Sequence, residues 1–253
     1  MAVLSSRANP RVKRWIRLAG DARYRRAEKR ALIEGPHLLA AALQRGHRPV
    51  AVLVTEQGAA DAEIRALLGA NPVVLAKAVF RAIVDTDAPQ GVAAEIVIPE
   101  PRGQDSARTV FLEGVQDPAN VGAILRSAAA FGVGRVVLDR ACADPWSPKA
   151  LRAGMGGHFG LRISETPDLP EEIEAFAGTV ACTVPRGGVA LRNAPVDRAL
   201  AWIFGGEGRG LSDAIIRRAD LRVTIPMAAG TESLNVAAAA AICLYQSSSR
   251  SGA

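Results

Sequence analysis

The sequence predicts an α/β protein: a parallel sheet with helices on both faces, preceded by a smaller α/β unit. Three observations predict it. After residue 108 five short apolar segments, Thr109–Glu113, Arg135–Asp139, Thr179–Val184, Ala201–Gly205 and Leu221–Ile225, alternate with helical patterns, the signature of a parallel sheet. Before it, "PEPRGQDSAR" (99–108) combines Pro, Gly and charge with no apolar period and reads as a linker. Finally, the polar, Gly-rich segments "EGVQDPANVG", "GGEGRGLS" and "PMAAGTESLN" follow the first, fourth and fifth of these strands. Ligands of open parallel sheets bind beyond the C-terminal ends of the strands, so the site is expected there.

Residues 1–98 form the first unit. Helical patterns run over 9–20 and 35–45, a strand over 50–55, a helix over 59–69, and strands over 73–75 and 91–98. The second unit spans 109–247, and 248–253 ("SSRSGA") read as a disordered tail. "MAVLSSRANP" lacks an apolar run, so no secretory leader is expected. The longest apolar run, Val236–Tyr245, is about half of what a bilayer-spanning helix needs. Cys142, Cys182 and Cys243 and the three histidines lie far apart in the sequence. They have no metal-ligand spacing, so a reduced, cytoplasmic, metal-free protein is expected.

The net charge of +6 is concentrated at one end. Residues 1–30 carry ten Lys/Arg and two acids, whereas the remainder carries 21 basic and 23 acidic residues. Such a patch favours a polyanion, most simply nucleic acid. Arg7, Arg11, Lys13 and Arg14 are the candidate RNA contacts, and Trp15 and Tyr24 are candidate base-stacking platforms.

In "VQDPANVGAILRSAAAFGVGRVVL" (115–138), Asn120 is a suitable helix N-cap, Gly132 a stop, and Arg126 a planar fork of donors for phosphate or carboxylate. "WIFGGEGRGLS" (202–212) runs a strand into a four-glycine loop and a helix capped by Ser212. It is neither a P-loop nor a dinucleotide fingerprint, and Glu207 would repel a phosphate there. A neutral or cationic ligand, such as an adenine or a sulfonium, fits better, which sets aside a nucleotide-dependent oxidoreductase. In "IPMAAGTESLNVAAAAAICLYQ" (225–246), residues 226–230 carry the chain over the sheet edge. Ser233 and Asn235 then stand at the mouth of an Ala-rich helix, where Ser233 reads either as a site residue or as a plain N-cap.

Together these stretches resemble the three motifs of the SpoU (TrmH) family of RNA 2′-O-ribose methyltransferases, within the SPOUT superfamily. "DPANVGAILRSAAAFG" resembles the first, "FGGEGRGLS" the second and "IPMAAGTESLNVAAAAAICLY" the third, in the family's order. "SPKALRAGMGGHF" (147–159), "APQGV" (88–92) and "NPRVKRW…EGPHLLAAAL" extend the resemblance over nearly the whole chain. Ala237 and Gly154 stand where members often have Ser.

The resemblance implies methyl transfer from S-adenosylmethionine to a ribose 2′-hydroxyl, with S-adenosylhomocysteine as product and no metal. It implies a C-terminal trefoil knot, a homodimer, and an N-terminal substrate-binding domain like those of ribosomal-RNA members. By the same resemblance Arg126, Asn120, Glu207, Ser233 and Asn235 are catalytic, while Thr183, Gly205, Gly208, Ile225, Met227 and Leu234 hold the cofactor. Arginine, with a pKa above about 12, is a poor base. Arg126 is therefore expected to stay charged, grip phosphate and stabilise the forming alkoxide, the alternative being an unusually depressed, neutral base. The runner-up functions are a tRNA ribose methyltransferase and a non-catalytic RNA-binding or ribosome-assembly factor of the same fold.

Overall fold

The structure, a computed structural model, describes residues 3–101, 106–195 and 199–250. The first elements are α1 (Pro10–Gly20), α2 (Ala22–Glu28), β1 (Arg30–Glu34), α3 (Pro36–Gln44), β2 (Ala51–Thr55) and α4 (Glu56–Ala60). They are followed by α5 (Ala62–Arg65), β3 (Val73–Leu75), α6 (Lys77–Ile83) and β4 (Val92–Val97). Beyond the linker come β5 (Arg108–Glu113), α7 (Pro118–Ala130), β6 (Arg135–Asp139), α8 (Pro148–Gly154), β7 (Arg162–Thr166) and α9 (Leu169–Glu174). The chain ends with β8 (Thr179–Thr183), β9 (Val189–Ala190), β10 (Leu200–Gly205), α10 (Asp213–Ile216), β11 (Leu221–Thr224) and α11 (Val236–Arg250).

Two compact units result. One joins the chain up to Pro99 with Asp144–Phe159, and the other comprises Glu100–Ala143 with the chain from Gly160 onward. The segment 144–159, which the sequence reading leaves inside the C-terminal domain, thus packs with the N-terminal unit. A buried ion pair helps to hold it there. The Arg25 guanidinium donates to Asp144 at 2.7 Å and to the carbonyls of Leu18 and Ala19 at 2.6 and 3.0 Å. Gly156, at φ +85°, lies against Ala41, where a Cβ would approach the Ala41 methyl to 2.7 Å.

In the N-terminal unit the strand order is β1-β4-β2-β3, with only β2 and β3 parallel. Helix α1 is amphipathic because Val12, Trp15 and Leu18 recur at helical spacing. All three are buried against Leu32, Leu53, Leu75 and Ala93 of the sheet. The strand β1, the helix α2 and the helix α6 are not anticipated in the sequence reading. The expected helix over 59–69 is interrupted, because the Asp61 carboxylate accepts the Ile64 N–H and starts a separate turn.

The C-terminal unit is built on a sheet of order β7-β6-β5-β10-β8-β11-β9, parallel at every pairing among the described residues. Val110, Phe111 and Leu112 of β5 and Ala201, Ile203 and Phe204 of β10 are fully buried. A strand enclosed on both faces needs this kind of continuous apolar run, and each buried Val, Leu, Ile or Phe contributes about 1.5–3 kcal/mol. Phe111, Val137, Val180, Cys182 and Ile203 meet Leu169 and Ile173 of α9 and Ile215 of α10. Trp202 alternates to the opposite face, where its indole N–H donates to Ser247 of α11 at 2.9 Å. The Ser247 hydroxyl in turn donates to the Cys243 carbonyl at 2.6 Å. The five expected strands are present, and β7 and β9 extend the sheet.

Two boundary expectations are corrected. Helix α7 is capped by Asp117, whose side chain accepts the Ala119 N–H at 2.9 Å, with Pro118 in the first turn. Asn120 is thereby freed from capping. Helix α11 continues to Arg250, so residues 248–250 are its last turn rather than part of a tail. Of the expected tail and linker, 251–253 and 102–105 lie outside the described residues.

Candidate active site

The C-terminal ends of β5, β10, β8 and β11 are consecutive neighbours in the sheet. Strand β5 ends at Glu113, β10 at Gly205 beside it, β8 at Thr183, and β11 one residue before Ile225. Registry places Thr183 opposite Val223, so Thr183, Gly205 and Ile225 share one edge.

Two glycines let the loop after β10 close on this edge. A Cβ on Gly206 would lie 1.9 Å from the Gly114 carbonyl oxygen, and one on Gly205 would lie 2.3 Å from the Gly210 carbonyl carbon. Only backbone fits. The Gly206 N–H donates to the Glu113 carbonyl at 2.8 Å, and Gly210 N–H to the Gly206 carbonyl at 3.0 Å. Gly208, at φ +83°, turns the loop in a conformation that side chains rarely adopt. The Glu113 carboxylate accepts the Ser212 N–H at 2.8 Å and its hydroxyl at 2.7 Å, pinning the loop's far end. Ser212 caps α10 as expected.

One hydrogen-bonded chain joins the three motif segments. The Asn120 amide donates to one oxygen of Glu207, and the Gln116 N–H donates to the other at 3.2 Å. The Asn120 side-chain oxygen accepts from the Asn235 amide at 3.0 Å. The Asn235 oxygen accepts the N–H groups of Ala237 and Ala238 at 2.9 and 3.2 Å, capping α11. Each amide donates in one direction and accepts from the other, so its orientation is fixed. Burial pushes the Glu207 carboxyl up. Hydrogen bonds from the Asn120 amide and from the backbone of Glu207, Gln116 and Asp117 outweigh that and hold it below the ordinary carboxylate range. Glu207 is therefore an anion near neutrality, next to a loop that has no room for side chains.

Of the expected catalytic set, the structure brings Asn120, Glu207 and Asn235 together. Ser233 is exposed, and Asn235 rather than Ser233 caps the last helix. Arg126 is exposed in the third turn of α7. Six positions from Asn120 turn it about 120° away around the helix, so it stands apart from the chain of amides. At the cofactor positions, Ile225 and Met227 are half-buried, and Leu234 keeps 39% of its surface exposed. Glu113, Gln116 and Asp139 escape the sequence reading. The Asp139 carboxylate accepts the Gly114 N–H at 3.1 Å and so orders the start of the first motif. For Glu113 the available signal was an acid closing a strand just before Gly114.

The basic segment divides in two. Arg7, Arg11 and Lys13 are exposed. Arg14 is half-buried and donates to Glu95 at 2.5 Å, with Glu28 at 3.8 Å. Trp15 is 2% exposed, and its indole N–H donates to Glu95 at 2.9 Å, so it is a core residue and no stacking platform. The Tyr24 ring carries the Arg17 guanidinium at 3.8 Å. All three cysteines are buried free thiols, pushed up by that burial, Cys243 to about 12. No helix among the described residues is long and apolar enough to cross a membrane.

Comparison with known proteins places this geometry. Residues 107–245 match the SpoU rRNA Methylase family, and residues 9–94 match the MRM3-like substrate binding domain. The 23S rRNA (guanosine(2553)-2′-O)-methyltransferase RlmP of Bacillus subtilis is 32% identical over 97% of this chain and 98% of its own. A solved RNA 2′-O ribose methyltransferase superposes with a TM-score of 0.84 at 29% identity, covering 100% of both chains. The SpoU methyltransferase AviRb from Streptomyces viridochromogenes, solved in complex with the cofactor AdoMet, superposes at 0.86 with 25% identity over 97% of this chain and 99% of its own. The three motif segments, joined at one sheet edge by Glu207, Asn120 and Asn235, and full-length likeness of sequence and fold lead to one assignment: the chain belongs to the SpoU rRNA methylase family.

Proposed function

We propose that the protein transfers a methyl group from S-adenosylmethionine to a ribose 2′-hydroxyl of ribosomal RNA. The observation that carries this reading is the chain from Glu207 through Asn120 to Asn235, which locks the loops of all three motifs at the ligand edge of the sheet. The site's chemistry fits the cofactor. Leu234, Ile225 and Met227 offer apolar surface to an adenine, Thr183, Gly205 and Gly208 offer backbone and hydroxyl groups, and anionic Glu207 complements a sulfonium. S-adenosylmethionine supplies the methyl group when bound.

The chain's own residues supply position and charge. Arg126, exposed and with no protein partner among the described residues, is free to take an RNA phosphate with its fork of donors. Held there, it stabilises the negative charge that grows on the 2′-oxygen as its proton leaves to water or phosphate. Asn120 and Asn235 keep the loops in register, and Ser233 lies on the same loop for the incoming nucleotide. Positioning of this kind supplies roughly 7–11 kcal/mol in favourable cases. Arg7, Arg11 and Lys13 contact RNA phosphates, with Arg14 contributing through its exposed part.

The same reading includes a homodimer, a trefoil knot in the C-terminal unit and a cytoplasmic location. Helix α11 presents Ala238, Ile242 and Tyr245 along one exposed face, a suitable surface for a second copy. Its return across α7, where Phe131 meets Tyr245 at 5.8 Å, is what a chain drawn back through its own loop needs. Buried free thiols fit a reducing compartment.

The test is a methyl-transfer assay with purified ribosomal RNA and purified tRNA from cells lacking the protein. Label entering ribosomal RNA alone supports the proposal. Label entering tRNA alone would move the target to tRNA, and label in neither, without cofactor binding, would favour a non-catalytic RNA-binding factor.

A further inference from the structure

The N-terminal unit holds a cavity of about 570 Å³ that the proposed methyl transfer does not use. We infer that it receives one unpaired nucleobase of the RNA substrate, an inference that rests on the RNA reading above. Leu75 and Phe80 lie beneath the cavity, 0% and 1% exposed, and Ala88 and Pro89 bring apolar surface to its rim. The wall is preformed. A Cβ on Gly58 would lie 2.4 Å from the Gly91 carbonyl oxygen, and one on Gly91 would lie 2.7 Å from the Thr55 hydroxyl. Thr55 ties the two strands of this wall, its N–H donating to Gly91 at 2.9 Å and its hydroxyl accepting the Gly58 N–H at 3.0 Å. A ligand entering such a cavity does not have to order it first.

The polar groups decide what enters. Gln57 and Gln90 bring amides, Glu56, Asp61 and Asp87 carboxylates, and Lys77 and Arg81 cations. Carboxylates outnumber cations, so a phosphate is unwelcome inside. The cations, in contrast, continue outward. The Arg7 guanidinium donates to the Ala78 carbonyl at 3.2 Å, which places a third positive charge beside Lys77 and Arg81 on α6. The segment carrying Arg7 is anchored there, with Leu4 N–H donating to Val74 at 2.8 Å and Ala76 N–H to Leu4 at 3.0 Å. Phosphates therefore track along α6 and Arg7, outside the cavity. A group that is flat, apolar on its faces, polar at its edge and attached to phosphates is a nucleobase. Amides and carboxylates at the rim accept from exocyclic amino groups, which favours adenine, cytosine or guanine over uracil.

The experiment uses the full chain and three short labelled RNA hairpins of one sequence: fully paired, with a single bulged adenine, and with a single bulged uracil. Fluorescence anisotropy at fixed salt reads affinity. The adenine-bulged hairpin is expected to bind about tenfold more tightly than the paired one, with uracil between. Ala88→Trp, which fills the cavity, and the double variant Gln57→Ala/Gln90→Ala should each abolish the difference while leaving affinity for the paired hairpin unchanged. The double variant carries the test if Ala88→Trp fails to fold. Equal binding of bulged and paired hairpins by the unaltered protein would overturn the inference, as would a bulge preference that survives both variants. Adenosine monophosphate binding that Ala88→Trp abolishes, without hairpin discrimination, would overturn it in favour of a free nucleotide. Cofactor binding and methyl transfer to total RNA are measured on the same preparations. Their failure would sink the methyltransferase reading and leave the bulge preference to stand or fall alone.

Discussion

Glu207 occupies an unusual position, a carboxylate among four glycines, and two of its neighbours explain it. The Asn120 amide and the Gln116 N–H both aim at it, and the network they belong to ends at the helix cap formed by Asn235. Glu207→Gln turns one acceptor into a donor facing the Asn120 amide. Mispositioning of this size costs about 10²-fold in kcat/KM, which steady-state methyl transfer would measure. The pH dependence follows from the direction of the shift. A carboxyl held below its ordinary value of about 4.3 contributes stability above its unfolded pKa and loses it as pH falls through the lower folded one. The activity profile of the unaltered enzyme should thus show no inflection from Glu207 above about pH 5. One that disappears in Glu207→Gln would contradict the assignment. Arg126→Ala should behave differently. Activity is expected to fall by about 10²–10³-fold with the melting temperature unchanged, because the exposed side chain has no protein partner to lose. At this scale Asn120, Glu207 and Asn235 were singled out by the three-motif resemblance, because the hydrogen bonds that join them span 87 and 115 positions and no local pattern shows them. Trp15 was misread. Its spacing with Val12 and Leu18 already sets it on the apolar face of α1, and only the partner of its indole N–H, Glu95, lies 80 positions away.

At the scale of elements, the loops rely on the absence of side chains. Gly206→Ala drives a Cβ into the Gly114 carbonyl. The expected result is a loss of about 1–3 kcal/mol in a urea titration, with weakened cofactor binding by calorimetry. The segment 144–159 relies instead on a charge. Arg25 and Asp144 are 4% and 8% exposed, so removing either partner strands the other. Arg25→Ala or Asp144→Ala alone should cost about 3–5 kcal/mol, and the double variant less than the two losses combined. Urea titrations of the four proteins close that cycle. The central strands were legible because enclosure on both faces demands an unbroken apolar run. The edge strand β7 was not, since its sequence, Arg-Ile-Ser-Glu-Thr, has one apolar residue, too few for an apolar run or an alternating face. The cap of α7 was assigned three residues late, although Asp117-Pro118 carries the stronger signal, an acceptor followed by a residue without an N–H.

At the scale of the whole molecule, charge and apolar surface are set apart. Exposed cations collect at Arg7, Arg11 and Lys13 on the N-terminal unit, while Ile242 and Tyr245 leave 41% and 61% of their surface open on the C-terminal one. If the first feature is the proposed RNA contact, RNA affinity should fall steeply with salt in a titration from low to high ionic strength. The second is the proposed subunit contact, and Ile242→Glu/Tyr245→Glu should give a monomer by size exclusion with light scattering. The packing of 144–159 with the first unit was not legible in the sequence, because the Arg25–Asp144 pair spans 119 positions. The central claim, methyl transfer to a ribose hydroxyl through Arg126, is tested most directly by the product itself. RNA from cells lacking the protein is incubated with the enzyme and S-adenosylmethionine carrying a radiolabelled methyl group, digested with nuclease and resolved. Label in a nuclease-resistant, 2′-O-methylated dinucleotide, lost with Arg126→Ala, is the predicted result. Label in a methylated base, or a dinucleotide that Arg126→Ala still produces at full rate, would contradict it.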